Sequence, residues 1–383
     1  MSTMLGNRKL VIDTMSEVYQ ELKQYRDAEF WDFASHDPIP GSIYVLGRQQ
    51  VVENQEKFRR MAEDDRFVMI FGNSAEGSST LVAQIRVLKL EELIKQARVL
   101  LISGGDIEPG YHHLTHEHFL VRIFDYEENR QQSLRINEVF VKEQKPYKFL
   151  FLNGRARPHR KYLWEKLRLS SLLDQSLHTM LDGRMAGSRL FKLMHDGQDL
   201  MDTNTPITTL PEVYEVDRYH EYSRAVDKTY PHQYVKAGMF NTEWGEVYLK
   251  ADAYIDTYFS LVTETIIEYP YSFRTEKIAK PLAMGHPWIC ASNRGFYRDI
   301  RNLGFKTFDT LIDETFDDID NNQDRMDRIL NVVHDLCSQD LVSFLRSAES
   351  ICKYNQQHLK EIIPRIRKEF PERFVKFINH ERP

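Results

Sequence analysis

The stretch 259–292, FSLVTETIIEYPYSFRTEKIAKPLAMGHPWICAS, runs from an apolar segment through Arg274, Thr275, Glu276 and Lys277 to a short apolar segment that stops at Gly285. The first run reads as a strand, the second as a helix, and HPWICAS as another strand. Thr275 is the expected N-cap, which places Glu276 and Lys277 in the first helical turn. Glu suits that position, because free backbone N–H groups and the helix dipole attract negative charge. Lys opposes the dipole there by roughly a few tenths of a kcal/mol. An anion held between the ammonium and the helix end would account for it. From these residues alone, ordinary capping and a phosphate site both stay open. Ile278 and Leu282 are expected to face the core, Pro281 to strain the helix and Gly285 to end it.

Outward from this unit the alternation continues. SIYVLG (42–47), RFVMIFGNS (66–74) and ARVLLISGG (97–105) are apolar runs with Gly at or near their ends, and RQQVVENQEKFRRMAED and IRVLKLEELIKQA lie between them as helices. Such alternation predicts an open, mostly parallel sheet. Leu10, Val11, Met15, Val18, Leu22 and Tyr25 predict an amphipathic helix over 8–28. FLVRIFDY (119–126) and INEVFV (136–141) read as further strands, and EQKPYK (143–148) as a linker. The pattern then restarts with the strand KFLFLNG and a helix, and KTFDTLI is a later strand. Beyond residue 320 the pattern is almost purely helical. The expected fold is α/β, with domains at 1–145 and 146–345 and C-terminal helices at 346–383 that pack back across both.

Hydrophobic residues make up 42% of the 383 positions and aromatics 12%, which excludes disorder and supplies ample core. A net charge of −6 excludes a chain that is basic throughout, as general nucleic-acid binders are. Cys290, Cys337 and Cys352 are too few for a disulfide framework and read as reduced core residues. No window reaches the ~20 apolar residues of a membrane helix, and the first residues lack a signal-peptide core. A cytoplasmic protein is expected, in host cytoplasm if the source is viral.

RARPHRKYLWEKLR (155–168) holds Arg155, Arg157, Arg160, Lys161, Lys166 and Arg168 against a single Glu, directly after a strand. Ligands of α/β sheets bind at the carboxyl ends of strands, and the planar arginine fork suits a diphosphate. A basic solvated helix face is the competing reading. LLISGGDIEPGY places Asp106 and Glu108 after a strand on a Gly-rich loop, and FGNSAEGSS offers Glu76 in the same way. Capping a turn is the ordinary reading of Asp106. YHHLTHEHF (111–119) carries His112, His113, His116 and His118. On a helix His112 and His116 would share a face at metal-like spacing, although a third ligand would point elsewhere. A proton-transfer role or surface placement fits better. GNSAEGSST lacks the lysine of a Walker loop. The acidic run 309–327 reads as a solvated loop and helix start.

Taken together, FSLVTET, FRTEK and the apolar helix ending in Gly-His-Pro resemble the nucleotide-sugar motif of α-1,3-fucosyltransferases and related glycosyltransferases, including ones encoded by bacteriophages. Asn153, Arg160, Tyr162 and Leu163 correspond to that family's Asn-bearing strand end and Arg helix. The resemblance covers roughly residues 146–330. It implies two facing Rossmann-like domains of the GT-B type, with the donor held by the C-terminal one. Arg155, Arg157, Arg160, Thr275 and Lys277 would form the donor site, with Arg160 and Lys277 neutralising the diphosphate. Glu276 would accept from ribose hydroxyls, Glu264 would lie near the sugar or at the end of its strand, and Phe273 would stand beside base or ribose. The resemblance also implies a carboxylate base from the N-terminal domain, with Asp106 preferred over Glu76. Thr265 stands where the family has Asn, and the interval to Phe273 is longer, so neither sugar nor nucleotide follows.

The expected function is therefore transfer of a sugar from a nucleotide-diphosphate sugar to an acceptor hydroxyl, inverting by resemblance. No metal is expected, since Arg160 and Lys277 would do what a divalent ion does. The acceptor stays open among a saccharide, a lipid-linked glycan and hydroxymethylated DNA, with DNA modification by a phage enzyme one reading. The net charge counts mildly against duplex DNA. The rival class is a non-catalytic nucleotide-binding or scaffold protein with a degenerate donor fold.

Overall fold

The computed structural model describes residues 8–12, 22, 28–30, 33–35, 37–73, 77–96, 98–107, 109–153, 157–180 and 249–379. Its first part runs β1 (Leu10–Ile12), β2 (Ala28–Phe30), β3 (Ile43–Leu46), α1 (Arg48–Glu53), α2 (Gln55–Glu63), β4 (Val68–Asn73), α3 (Ser78–Val87), α4 (Glu91–Lys95), β5 (Val99–Ser103) and β6 (His113–Thr115). Three short helices follow: α5 (His118–Arg122), α6 (Glu127–Ser133) and α7 (Ile136–Val141). The second part runs β7 (Tyr147–Asn153), α8 (Pro158–Leu169), β8 (Ser176–Met180), α9 (Ala251–Ile255), β9 (Thr257–Thr263), α10 (Glu276–Met284), β10 (Trp288–Ala291), α11 (Phe296–Asn302), α12 (Asn322–Cys337) and α13 (Leu341–Ile378).

The strands form two sheets, ordered β2-β1-β3-β4-β5-β6 and β10-β9-β7-β8. Every strand pair is parallel. Val99–Ser103 and Thr257–Thr263 are buried at every position. That is why these strands read as continuous apolar runs and not as alternating ones. One face of the first sheet packs Tyr44, Met69, Phe71 and Leu101 against Phe58 and Ile85, and the other packs Ile43, Val45, Ile70 and Leu100. The second sheet has its own core, built on Phe149, Phe151, Phe259, Leu261 and Ile289.

The helix α13 joins the two cores. Its Phe344, Leu345, Leu359 and Ile362 lie in the second core, while Phe370, Phe374, Phe377 and Ile378 close the first. Arg367 on the same helix donates to the carbonyl of Val121 at 2.7 Å and to Asp125. Leu120, Val121, Ile123 and Val139, from the segment before β7, also pack into the second core.

Four local expectations change. Leu10–Ile12 is the second strand of the first sheet and not part of a helix over 8–28. Three consecutive apolar residues satisfy a strand buried on both faces. At its two ends Arg8 and Lys9 precede β1 and Ala28 opens β2; of the positions between Ile12 and Ala28, only Leu22 is described. FLVRIFDY contains α5, because a short apolar run wedged between two cores is the same in either conformation. INEVFV is α7, burying Val139 with Phe140 packed against the core. KTFDTLI is a tight turn, with the N–H groups of Leu311 and Ile312 both donating to the carbonyl of Phe308 at 2.8 and 2.9 Å. There Phe308 and Ile312 fill the core without a strand. The three cysteines are buried and free. Among the described residues no helix is long and apolar enough to cross a membrane.

Candidate functional site

In the second sheet β8 lies beyond β7 and β10 beyond β9, so the chain's connections diverge between the neighbouring strands β7 and β9. The carboxyl ends at such a divergence leave a crevice where ligands of α/β sheets bind. Asn153 ends β7 and Thr263 ends β9, and the Thr263 hydroxyl donates to Asn153 Oδ1 at 2.5 Å. The first turn of α8 packs over them. His159 Nε2 donates to the Glu264 carbonyl at 2.9 Å, and Arg160 Nη2 donates to the carbonyls of Thr263 (3.2 Å) and Glu264 (3.3 Å). Arg160 is only 2% exposed, so its guanidinium secures the end of β9 from inside. Burial, reinforced by Arg160, holds His159 neutral, well below its usual pKa.

The next layer is the start of α10. Glu264 is fully buried and accepts from the Thr275 N–H at 3.0 Å, the Thr275 hydroxyl at 2.6 Å and the Thr265 N–H at 3.2 Å. Thr275 Oγ1 in turn accepts from the Lys277 N–H at 3.2 Å, which makes Thr275 the N-cap. Gly285 closes the helix in the left-handed conformation, at φ 60°. Lys277 extends its ammonium to Glu276, to Thr265 Oγ1 at 3.3 Å and to Thr275 Oγ1 at 3.4 Å. Burial pushes the Glu264 carboxyl above the usual range, with Lys277 and the Thr275 bonds offsetting it in part. Burial pushes Glu276 the same way, but the adjacent Lys277 ammonium outweighs it and holds the carboxyl below its ordinary value.

The two sheets meet at this point. Gly105 pairs with Phe273 in an antiparallel bridge, and the Asp106 N–H donates to the Ser272 carbonyl at 2.9 Å. Ser78 donates its hydroxyl to the Asp106 carbonyl. The approach requires glycine on one side. A Cβ on Gly105 would stand 2.6 Å from the Ser272 carbonyl oxygen, and one on Gly77 would stand 2.1 Å from Ile266 Cδ1. Phe273, Ile266 and Tyr271 pack with Val82 and Phe119 into a small core of their own across the seam. Arg274 then crosses it, donating Nε and Nη2 to the two carboxylate oxygens of Glu117 at 2.9 and 2.5 Å. Its Nη1 lies 3.5 Å from Asp106 Oδ2. Burial pushes the Asp106 carboxyl upward, Arg274 pulls it back and Glu117 adds to the rise.

The sequence-selected residues thus divide. Asp106, Glu264, Phe273, Thr275, Glu276 and Lys277 come together across one seam. Phe273 is 2% exposed, with its ring committed to packing there. Arg157 occupies the N-cap position of α8 without a side-chain cap. Arg155, Glu76 and Glu108 lie outside the described residues. The basic segment is not one patch: Arg160 is buried, Lys166 lies over the Tyr162 ring and Arg168 pairs with Glu165 at 2.6 Å on the surface.

His112 and His116 do not share a helix face, because β6 occupies that segment. His112 stacks on Phe377, His113 bonds Ser103 Oγ at 2.6 Å and His116 packs on Phe370. Among the described residues no group of three His, Cys, Asp or Glu is placed to hold a metal ion. In the acidic run, Asp317 is buried and accepts from the N–H groups of Tyr297 (3.0 Å) and Arg298 (3.2 Å), so that stretch is only partly solvated.

Arg274, Glu117 and Arg325 were not selected from the sequence. Arg325 is 1% exposed and donates to the carbonyls of Ser292, Ile267 and Ile319 at 2.9, 2.9 and 2.7 Å, fixing the loops after β9 and β10. Arg274 lies inside the quoted stretch, but its partner lies 157 positions away, so no local pattern signals it. No protein-family model, curated protein or solved structure matches the chain.

Proposed function

We propose that the chain is a glycosyltransferase that moves a sugar from a nucleotide-diphosphate sugar to an acceptor hydroxyl. The observation that carries this reading is the meeting of two strand-end loops. Asp106, three residues beyond β5, is bonded through its N–H to Ser272 and lies 3.5 Å from Arg274, directly ahead of the α10 N-cap. A carboxylate is thereby set beside the start of α10, where Lys277 supplies a cation that suits a diphosphate.

In the proposed reaction Asp106 takes the proton of the acceptor hydroxyl. The acceptor oxygen bonds the anomeric carbon as the bond from that carbon to the diphosphate oxygen breaks. The nucleoside diphosphate leaves with the electron pair, its charge held by Lys277. Arg157, at the N-cap of α8, and Arg155, two positions before it in the sequence, are the remaining candidates for the diphosphate. Arg160 acts behind them by fixing the end of β9. Its raised proton affinity makes Asp106 a stronger base than a free carboxylate.

The test is a thermal-shift screen with UDP, GDP, CDP and dTDP. A ligand at 100 times its dissociation constant stabilises by about 2.7 kcal/mol, which such a screen resolves. Stabilisation by one nucleoside diphosphate is expected; none from the whole panel would overturn the reading.

A further inference from the structure

Arg274 and Glu117 form a buried, two-pronged ion pair, with side chains 4% and 9% exposed, aimed at a carboxylate that is 44% exposed. A buried ion pair gives little net stability and is strongly destabilising to break, so this one calls for a reason beyond joining two sheets. Its geometry is unequal. Glu117 takes Nε and Nη2, while Nη1 is shared between Ser272 Oγ at 3.1 Å and Asp106 at 3.5 Å. Asp106 therefore receives the cation's field but not its best hydrogen bonds. Both groups stand on short backbone connections tied across the seam by the Gly105–Phe273 bridge and the Asp106–Ser272 bond.

We propose that Arg274 is a positioning residue for Asp106, and that Glu117 sets how much of the Arg274 charge reaches it. The inference rests on the reading of Asp106 as the acceptor base. Fuller pairing with Arg274 would lower the proton affinity of Asp106 further, and loss of the cation would raise it. Glu117 holds the arginine between those extremes. The charged groups that face Asp106 are Arg274 from the β9–α10 loop, Glu117 from the start of α5 and Asp299 from α11. Arg274 directly precedes the α10 N-cap, so its cation stands between the helix start and Asp106.

The test is a carboxyl 13C titration of the full chain with labelled aspartate, with the Asp106 signal assigned by its loss in Asp106→Asn. Arg274→Gln is expected to raise the Asp106 midpoint by about one pH unit, and Glu117→Gln to lower it. Arg274→Lys, which keeps the cation and loses the fork, is expected to stay below Arg274→Gln. A structural role alone would not move the midpoint in opposite directions. If Arg274→Gln does not fold, Glu117→Gln decides: a downward shift supports the proposal and an unchanged midpoint overturns it. A parallel assay follows nucleoside diphosphate released from UDP-, GDP-, CDP- and dTDP-sugars. Opposed titration shifts without release by the wild-type chain would sink the transferase reading, and with it the base role of Asp106. Release with unshifted titrations would sink the positioning role alone.

Discussion

Glu264, at the end of β9, accepts hydrogen bonds from both the N–H and the hydroxyl of Thr275, at 3.0 and 2.6 Å, and so fixes where α10 begins. The carboxylate is fully buried and serves the cap of the next helix. In this arrangement the strand end is tied directly to the helix start, and Lys277 is placed by Glu264 through Thr275.

Thr275→Ala is expected to cost about 1–2 kcal/mol, since it removes an N-cap and a donor to a buried carboxylate. Thr275→Ser keeps both bonds and is expected to recover most of that loss. Urea unfolding of the two variants checks this; equal destabilisation would mean that the methyl group matters and the cap does not.

Lys277 and Arg160 are expected to separate. Lys277→Ala should lower affinity for whichever nucleoside diphosphate the screen identifies by at least about tenfold, the weight of a lost charge-assisted bond. Arg160→Ala should lower the melting temperature even without nucleotide, because it leaves the buried carbonyls of Thr263 and Glu264 without that donor. Titration calorimetry and a melting curve on each variant decide. Unchanged affinity in Lys277→Ala removes it from the diphosphate site.

Gly105→Ala has an ordinary backbone conformation available, so its effect comes from contact alone. The added Cβ meets the Ser272 carbonyl oxygen at 2.6 Å, and the seam must part by several tenths of an ångström. Faster proteolysis of the 266–275 loop and weaker nucleotide binding are the expected outcomes. Wild-type behaviour in both would show that the loop follows without loss.

Stability should fall on mild acidification. Burial holds His286 and His113 neutral, with pKa values pushed down to about 3. In the unfolded chain histidine takes up a proton near pH 6.5. Between those values only the unfolded chain binds the proton. Stability is therefore lost as pH falls from about 6.5, by up to about 1.4 kcal/mol per pH unit for each histidine. Glu264 works in the opposite sense, because its raised carboxyl holds a proton in the fold that the unfolded chain has released. His286→Gln keeps a donor for the Thr257 carbonyl and an acceptor for Ser260 Oγ without titrating. Denaturant midpoints from pH 7 to 5 should show a shallower slope for it; an identical slope would place the acid sensitivity elsewhere.

Arg325→Met is expected to cost about 3 kcal/mol or more. It strands the carbonyls of Ser292, Ile267 and Ile319 in a dry site. A melting temperature within a degree of wild type would show that those carbonyls find other donors.

The sequence by itself determined what depends on near neighbours. Thr275 as N-cap, Gly285 as helix stop, and the strands at β3, β4, β5, β7 and β9 follow from periodicity and capping chemistry acting within a few residues. It was silent or misleading where the deciding partner is remote. Leu10–Ile12, the run at 119–126 and the turn at 306–312 are short apolar segments that satisfy strand, helix or turn equally until a core surrounds them. INEVFV differs only in that its helix buries Val139 beneath a second sheet that has yet to follow in the chain. The same holds for the site. Asp106 and Lys277 stood out from residue type and position, whereas Arg274 gained its meaning only when folding brought Glu117 and Asp106 to it from the other sheet. Charge and burial at a seam depend on which surfaces meet, and only the tertiary structure sets that.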